Sequence, residues 1–262
     1  MGQEKRRVIL GPIVSVLVLF VVWHFVVVLG HVAPYIAPRP LDAVASIRDN
    51  WHHLWPLVLA TFRETLFGFL AGATLGIALG VWLAKAAFTR RVIYPLLVVS
   101  QAIPVIALAP PLVLLLGFNL APKIVVVAWV VFFPVTVNVL DGLAGVDRDY
   151  LTLARSYGAS SWRTFWVIEA PASLSNLFTG LKIGATYAVT GAIIGELAAS
   201  SGTSLAMFQH AQSAQLDAAG VYGTTLVMTA LGIAWFASVV LVEFFTMPWK
   251  RRSTARTKRS HP

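Results

Sequence analysis

Few residues in this 262-residue chain have the type and spacing to carry chemistry. There is no cysteine, which excludes disulfides, thiolate metal sites and thiol catalysis. No G-x-x-x-x-G-K-[ST] loop occurs to cradle the phosphates of ATP. No H-E-x-x-H or G-x-S-x-G pattern occurs either. His52 and His53 are adjacent, and on a helix they point about 100° apart, which suits a surface pair better than a metal site. Within otherwise apolar stretches, Gln101, Asn138, Tyr187 and Glu196 are singled out. An ionisable group in such a stretch is costly and by default marks function, so Glu196 offers a carboxylate to a solute or a water-filled vestibule, or sits at an interface. The amides of Gln101 and Asn138 either bind a solute or bond between helices. Tyr187 either stacks on a planar ring or packs on a neighbour. Lys182 is expected to snorkel to a membrane surface.

The elements that must hold these groups follow from composition. Hydrophobic residues make up 58% of the chain and charged residues 12%, against roughly 25% charged in a soluble domain. A disordered chain would be more polar still. A polytopic, all-α membrane protein remains, with each crossing needing about 20 apolar residues. Six spans are predicted: 8–30, 57–84, 92–118, 124–143, 177–199 and 221–245. The first is too long for the core of a signal peptide and is read as retained. Gly68, Gly72, Gly76 and Gly80 line one face of span two and permit close helix approach. Pro104, Pro110 and Pro111 interrupt span three, where a kink serves packing or lines a pathway. Residues 31–56 are expected outside the membrane, partly as a surface helix.

Charge sets the orientation. With the N-terminus inside, the inner segments carry 15 Lys or Arg: Lys5 to Arg7; Lys85, Arg90 and Arg91; Arg148, Arg155 and Arg163; and six in the tail. The outer segments carry three, Arg39, Arg48 and Lys123. This bias places residues 1–7 and 247–262 in the cytoplasm, flanking one transmembrane domain over 8–246. The net charge of +9 is then a topology signal, the tail facing lipid headgroups and not nucleic acid.

The most informative segment is the loop at 149–174. It reads as a helix, a break at Gly158 and a second helix ending near Pro171, with Tyr157, Trp162, Phe165 and Trp166 exposed. Exposed aromatics on such an element suit docking into a partner's groove or lying on a lipid surface. The loop resembles the EAA motif of ABC importer permeases, E-A-A-x-x-x-G-A with a proline about a dozen residues on. Ala154, Gly158, Ala159, Phe165 and Pro171 carry the match. Thr152, Leu153 and Ser175 depart from it, at positions where the family commonly has Glu, Ala and a second Pro.

The resemblance extends over about residues 40–246. Residues 100–123, 133–141 and 180–196 are similar to nitrate/taurine/sulfonate-type permeases. The runs S-Q-A-I-P-V-I-A-L-A-P and A-T-Y-A-V-T-G-A-I-I-G-E look most like permeases assigned to thiamine-precursor pyrimidines. The resemblance implies a type I ABC importer permease fold in a bacterial inner membrane. It implies partners: two ATP-binding subunits, an extracytoplasmic solute-binding protein and a second permease copy. Ala154, Arg155, Gly158, Ala159, Trp162, Phe165 and Pro171 would form the coupling element, with Gly158 as hinge. Gln101, Asn138, Tyr187 and Glu196 would lie on the solute pathway, where Glu196 suits an amino-pyrimidine. ATP and Mg would sit on the partner, leaving this chain with no cofactor and no catalysis of its own. A sulfonate or nitrate cargo is the alternative, although no Lys or Arg lies at mid-depth to meet an anion. A secondary carrier is the other class considered, and it has no need of a docking loop; a purely structural subunit has no need of a kinked span three or of Glu196.

Overall fold

The computed structural model describes residues 2–199 and 204–248. The basic tail from 249 onward and residues 200–203 lie outside them. Every regular element among the described residues is helical: α1 Gly2–Leu29, α2 Pro40–Asp49, α3 Trp51–Lys85, α4 Ala87–Ser100, α5 Val105–Leu116, α6 Leu120–Ala144, α7 Arg148–Ser156, α8 Ser161–Thr164, a π-helical turn Phe165–Glu169, α9 Ala170–Ala199, α10 Leu205–Ala214 and α11 Ala218–Thr246. The chain forms two compact units, residues 1–59 with 203–229 and residues 60–202 with 230–262.

In the first unit, α2 packs on the start of α11. Gly223 there permits the approach, since a methyl group on it would stand 2.8 Å from the Ala43 carbonyl oxygen. Trp23 of α1 stacks on Tyr222, ring centroids 5.5 Å apart. Asp217 caps α11, its carboxylate accepting the Gly220 N–H at 3.0 Å.

The second unit is organised around α6. The four glycines of α3 meet it in constant register: Gly68 lies on Val127, Gly72 on Ala128 and Val131, Gly76 on Phe132 and Val135, and Gly80 on Thr136 and Val139. Both numbers rise together, so α3 and α6 run parallel. On α9, Gly180 meets Pro134, Val135 and Asn138, Gly184 meets Val131, Gly191 meets Val127 and Val130, and Gly195 meets Lys123. Here one number rises as the other falls, so α9 is antiparallel to α6. Valines 127, 131, 135 and 139 of α6 fill the seams and form the buried core with Phe69, Ala73, Ala185, Ala188, Val189 and Ala192. Trp235 of α11 completes it, edge-on to Phe62 at 5.7 Å and to Phe69 at 5.4 Å.

This register decides the status of α4 and α5. The two meet at a bend of 96°. Pro104 is the cause, because the residue before a proline is driven out of the α region and α5 begins at Val105. Pro110 and Pro111 sit inside α5 without breaking it. The chain leaves α3 at Lys85 and enters α6 beside Glu64, where Lys123 bonds it, 21 residues or about 31 Å back along the same helix. The segment between must therefore cross, and α4–α5 is one broken span and not a re-entrant loop.

Several expected boundaries change. Four helical stretches are long and apolar enough to cross a membrane, and the α4–α5 pair adds a fifth. The sixth expected span falls on α1, whose described apolar stretch is Val14–Leu29. Residues 51–56, expected outside the membrane and partly as a surface helix, open α3. The second helix of the 149–174 loop does not end near Pro171. It continues from Ser161 to Ala199 as one 39-residue stretch. Pro171 is the second residue of α9, just past the π turn. The break in the ordinary i→i−4 ladder there accommodates a residue that lacks an N–H.

Because α3 and α6 touch through glycines, a side chain on that seam must push the helices apart. Gly76→Val places its Cβ 2.6 Å from the Phe132 carbonyl oxygen and is expected to cost about 1–3 kcal/mol. A thermal melt of the purified protein in detergent should show a lowered midpoint. Gly232→Ala, where an added methyl meets nothing within 4 Å, should hold or raise it.

Candidate functional site

The 149–174 segment is built from ordinary helix-end chemistry. Asp147 caps α7, accepting the Asp149 N–H at 2.9 Å. The helix closes through Tyr157 N–H to Leu153 and Gly158 N–H to Arg155 carbonyl oxygens. Gly158 takes φ +72°, the left-handed conformation that favours glycine. A Cβ there would meet nothing within 4 Å, so backbone geometry, not crowding, selects the residue. Ser160 caps α8 through the Arg163 N–H at 3.3 Å.

Each half presents an apolar face without cover in this chain. Tyr150, Leu153 and Tyr157 are exposed on α7 and its cap; Trp162, Trp166 and Val167 are exposed beyond the hinge. Tyr157 is 84% and Trp162 73% exposed, and both lie in a polar segment. Trp162 and Trp166 meet edge-on at 5.6 Å. Of the expected coupling residues, Arg155 and Pro171 are also exposed, and Ala154 and Ala159 are half-buried at the hinge. Phe165, expected among the exposed aromatics, is half-buried instead. Its ring lies under Lys85 Nζ, 5.2 Å from the centroid, and its edge meets Trp166 at 5.2 Å. Tyr150 and Leu153 were legible in the sequence as an i, i+3, i+7 stripe with Tyr157.

A second cluster lies at the other end of α3. Glu196 has no exposed surface. Thr61 Oγ1 donates to its Oε1 at 2.5 Å. One turn along α3, Glu64 accepts from Lys123 Nζ at 2.7 Å, with side chains 4% and 12% exposed. Its second oxygen is buried without a hydrogen-bond partner, and Glu196 is near enough to interact with it electrostatically. Thr61, Glu64, Lys123 and Glu196 thus join α3, α6 and α9. Glu64 meets the criterion that singles out Glu196, an ionisable residue inside a predicted span. Lys123, read as part of an outer turn, belongs to α6.

The remaining pathway candidates are dispersed. Gln101 is exposed at the α4–α5 bend and donates to Ser100 Oγ at 3.2 Å. Asn138 donates to the Pro134 carbonyl oxygen at 2.8 Å within its own helix. Tyr187 is 55% exposed on α9. Lys182, expected to snorkel, pairs with Glu243 of α11 at 2.9 Å.

A helical core bearing a loop of exposed aromatics invites comparison with known transporters. Over residues 72–247 the sequence matches the family described as binding-protein-dependent transport system inner membrane component. The chain belongs to that family. It is 36% identical to the formylaminopyrimidine transport permease protein ThiX of Halalkalibacterium halodurans, over 93% of this chain and 97% of that one. The riboflavin transport system permease protein RibX of Chloroflexus aurantiacus is 31% identical, over 85% of this chain and 81% of its own. The taurine transport system permease protein TauC of Escherichia coli is 27% identical, over 95% and 90%. The chain is therefore a multi-pass inner-membrane permease of an ABC importer, working with an ATPase and a solute-binding protein.

In this permease the Glu64–Lys123 pair is dry, so removing one partner strands the other. Lys123→Met is expected to lower folding stability by about 3–5 kcal/mol, read as a drop in the melting temperature. Adding Glu64→Gln should recover much of the loss, because the charge that Lys123 neutralises is removed with it.

Proposed function

We propose that this permease imports a small planar pyrimidine, of the kind named for its relative ThiX, by ATP-driven alternating access. The observation that carries the coupling role is the aromatic face of α7 and α8, exposed on both sides of the Gly158 hinge and continuous with α9 through an unbroken helical stretch. A groove on an ATP-binding subunit is the partner such a face fits. Ala154, Arg155, Gly158, Ala159, Trp162, Phe165 and Pro171 form or support this element.

The Lys85 end of α3 and the α7–α8 loop are assigned to the cytoplasm, as are both termini, in keeping with the positive-inside bias of the sequence. Two permease copies, most simply identical, would dock two ATPase subunits. ATP and Mg belong to those subunits, and this chain contributes no covalent chemistry. Closure of the ATPase pair presses on the docking faces, and the helices switch between two packings. Exposed Tyr187 and Gln101 are the candidates left to meet a solute between two copies. The whole of residues 8–246 acts as the permease domain.

Two measurements test this reading. Gly158→Asp should reduce uptake at least tenfold in proteoliposomes holding the full complex, with insertion unchanged; Gly158→Ala, which carries the backbone strain without the charge, should lose less. Equal, undiminished uptake in both would remove the hinge from the coupling route. For cargo, uptake of radiolabelled formylaminopyrimidine should be displaced by excess unlabelled pyrimidine and not by taurine. Displacement by taurine alone would assign the permease to the sulfonate side of its family.

A further inference from the structure

The docking loop contacts more than α9. α3 ends at Lys85, whose ammonium makes an ion pair with Glu169 and lies over the Phe165 ring, 5.2 Å from its centroid. Phe165 and Glu169 are the first and last residues of the π-helical turn between α8 and α9. The turn is closed by the Ala170 N–H bonding to the Phe165 carbonyl oxygen. Single π turns are rare and cluster at functional sites. Here the turn sets the rotation between the two helical pieces, since one residue of register is worth about 100°. Trp162 and Trp166 therefore face outward, while Phe165 and Glu169 face the last turn of α3.

From this arrangement, and resting on the docking role proposed above, we infer that Lys85 is the positioning residue through which the docking loop moves α3. Force delivered to the Trp162–Trp166 face reaches α9 through the continuous helix. Besides the glycine seam with α6 and the Thr61–Glu196 contact, it reaches α3 directly where Lys85 holds the π turn. From Thr61 to Lys85 α3 runs 24 residues, about 36 Å at 1.5 Å per residue. The Thr61 end of this length carries the contacts of Thr61 with Glu196 and of Glu64 with Lys123. A rod held by buried polar contacts at one end and by Lys85 at the other moves as a unit with the loop. The Lys85 side chain is 48% exposed, so the pair contributes little to folding stability, and its loss should disturb motion rather than structure.

The absence of native cysteine allows spin labels at Trp82→Cys on α3 and Thr152→Cys on α7, both at exposed positions. The label separation is measured by pulsed EPR in the complete transporter, nucleotide-free and after vanadate trapping with ATP. The parent should give the same separation in both states. Lys85→Met should still co-purify with the ATPase subunit, but its separation should change between states. Lys85→Arg should behave as the parent, and the exchange Lys85→Glu with Glu169→Lys should recover more than either single change. An unchanged separation in Lys85→Met overturns the inference, whether or not anything else moves. So does loss of ATPase binding in that variant, which would make Lys85 a prop for the loop's shape. Failure of the parent itself to retain the ATPase would instead bring down the docking reading and this inference with it.

Discussion

α6 touches its two neighbours through glycine, and the rest of the second unit depends on that contact. Inside a bilayer the solvent is as apolar as the side chains, so helices gain little by hiding leucine from lipid. What holds them is close backbone approach with dense van der Waals contact. Glycines at i+4 on α3 and at related spacings on α9 supply it, and the valines of α6 fill the grooves between them. The constant register fixes direction as well as distance, and direction makes α4–α5 a crossing.

Polar contacts sit at the ends of this apolar seam, where each has a distinct physical character. The Thr61–Glu196 and Glu64–Lys123 contacts are dry, so their partners are strongly bound to one another once water is gone. The Lys85–Glu169 and Lys182–Glu243 pairs keep more of their surface exposed and exchange partners at lower cost. One end of the helical core is thus held firmly and the other loosely.

Irregular backbone marks the places where the chain changes direction or role. Pro104 bends a span, Gly158 reverses the path between two docking faces, and the π turn adjusts the rotation of α9 relative to α8. Each carries an identifiable local cause: a restricted residue before proline, a left-handed glycine, an i→i+5 bond.

Read alone, the sequence determined the all-helical membrane class, the approximate spans, the glycine face of α3 and the helix break at Gly158, because hydropathy, spacing and residue type act locally. The family was legible for the same reason, since the docking motif is contiguous. The tertiary structure decided what depends on distant partners. Glu196 read as a group open to solute or an interface and is enclosed by Thr61, 135 residues away. Lys123 read as a turn residue and neutralises Glu64, 59 residues away. Phe165 read as one more docking aromatic and turned inward beneath Lys85. The π turn left no sign in composition or periodicity, because a single extra residue of register shows only once both flanking helices have found their neighbours. Partner choice for a charge or a ring is settled by which helices the glycines bring together, and no single span carries that information.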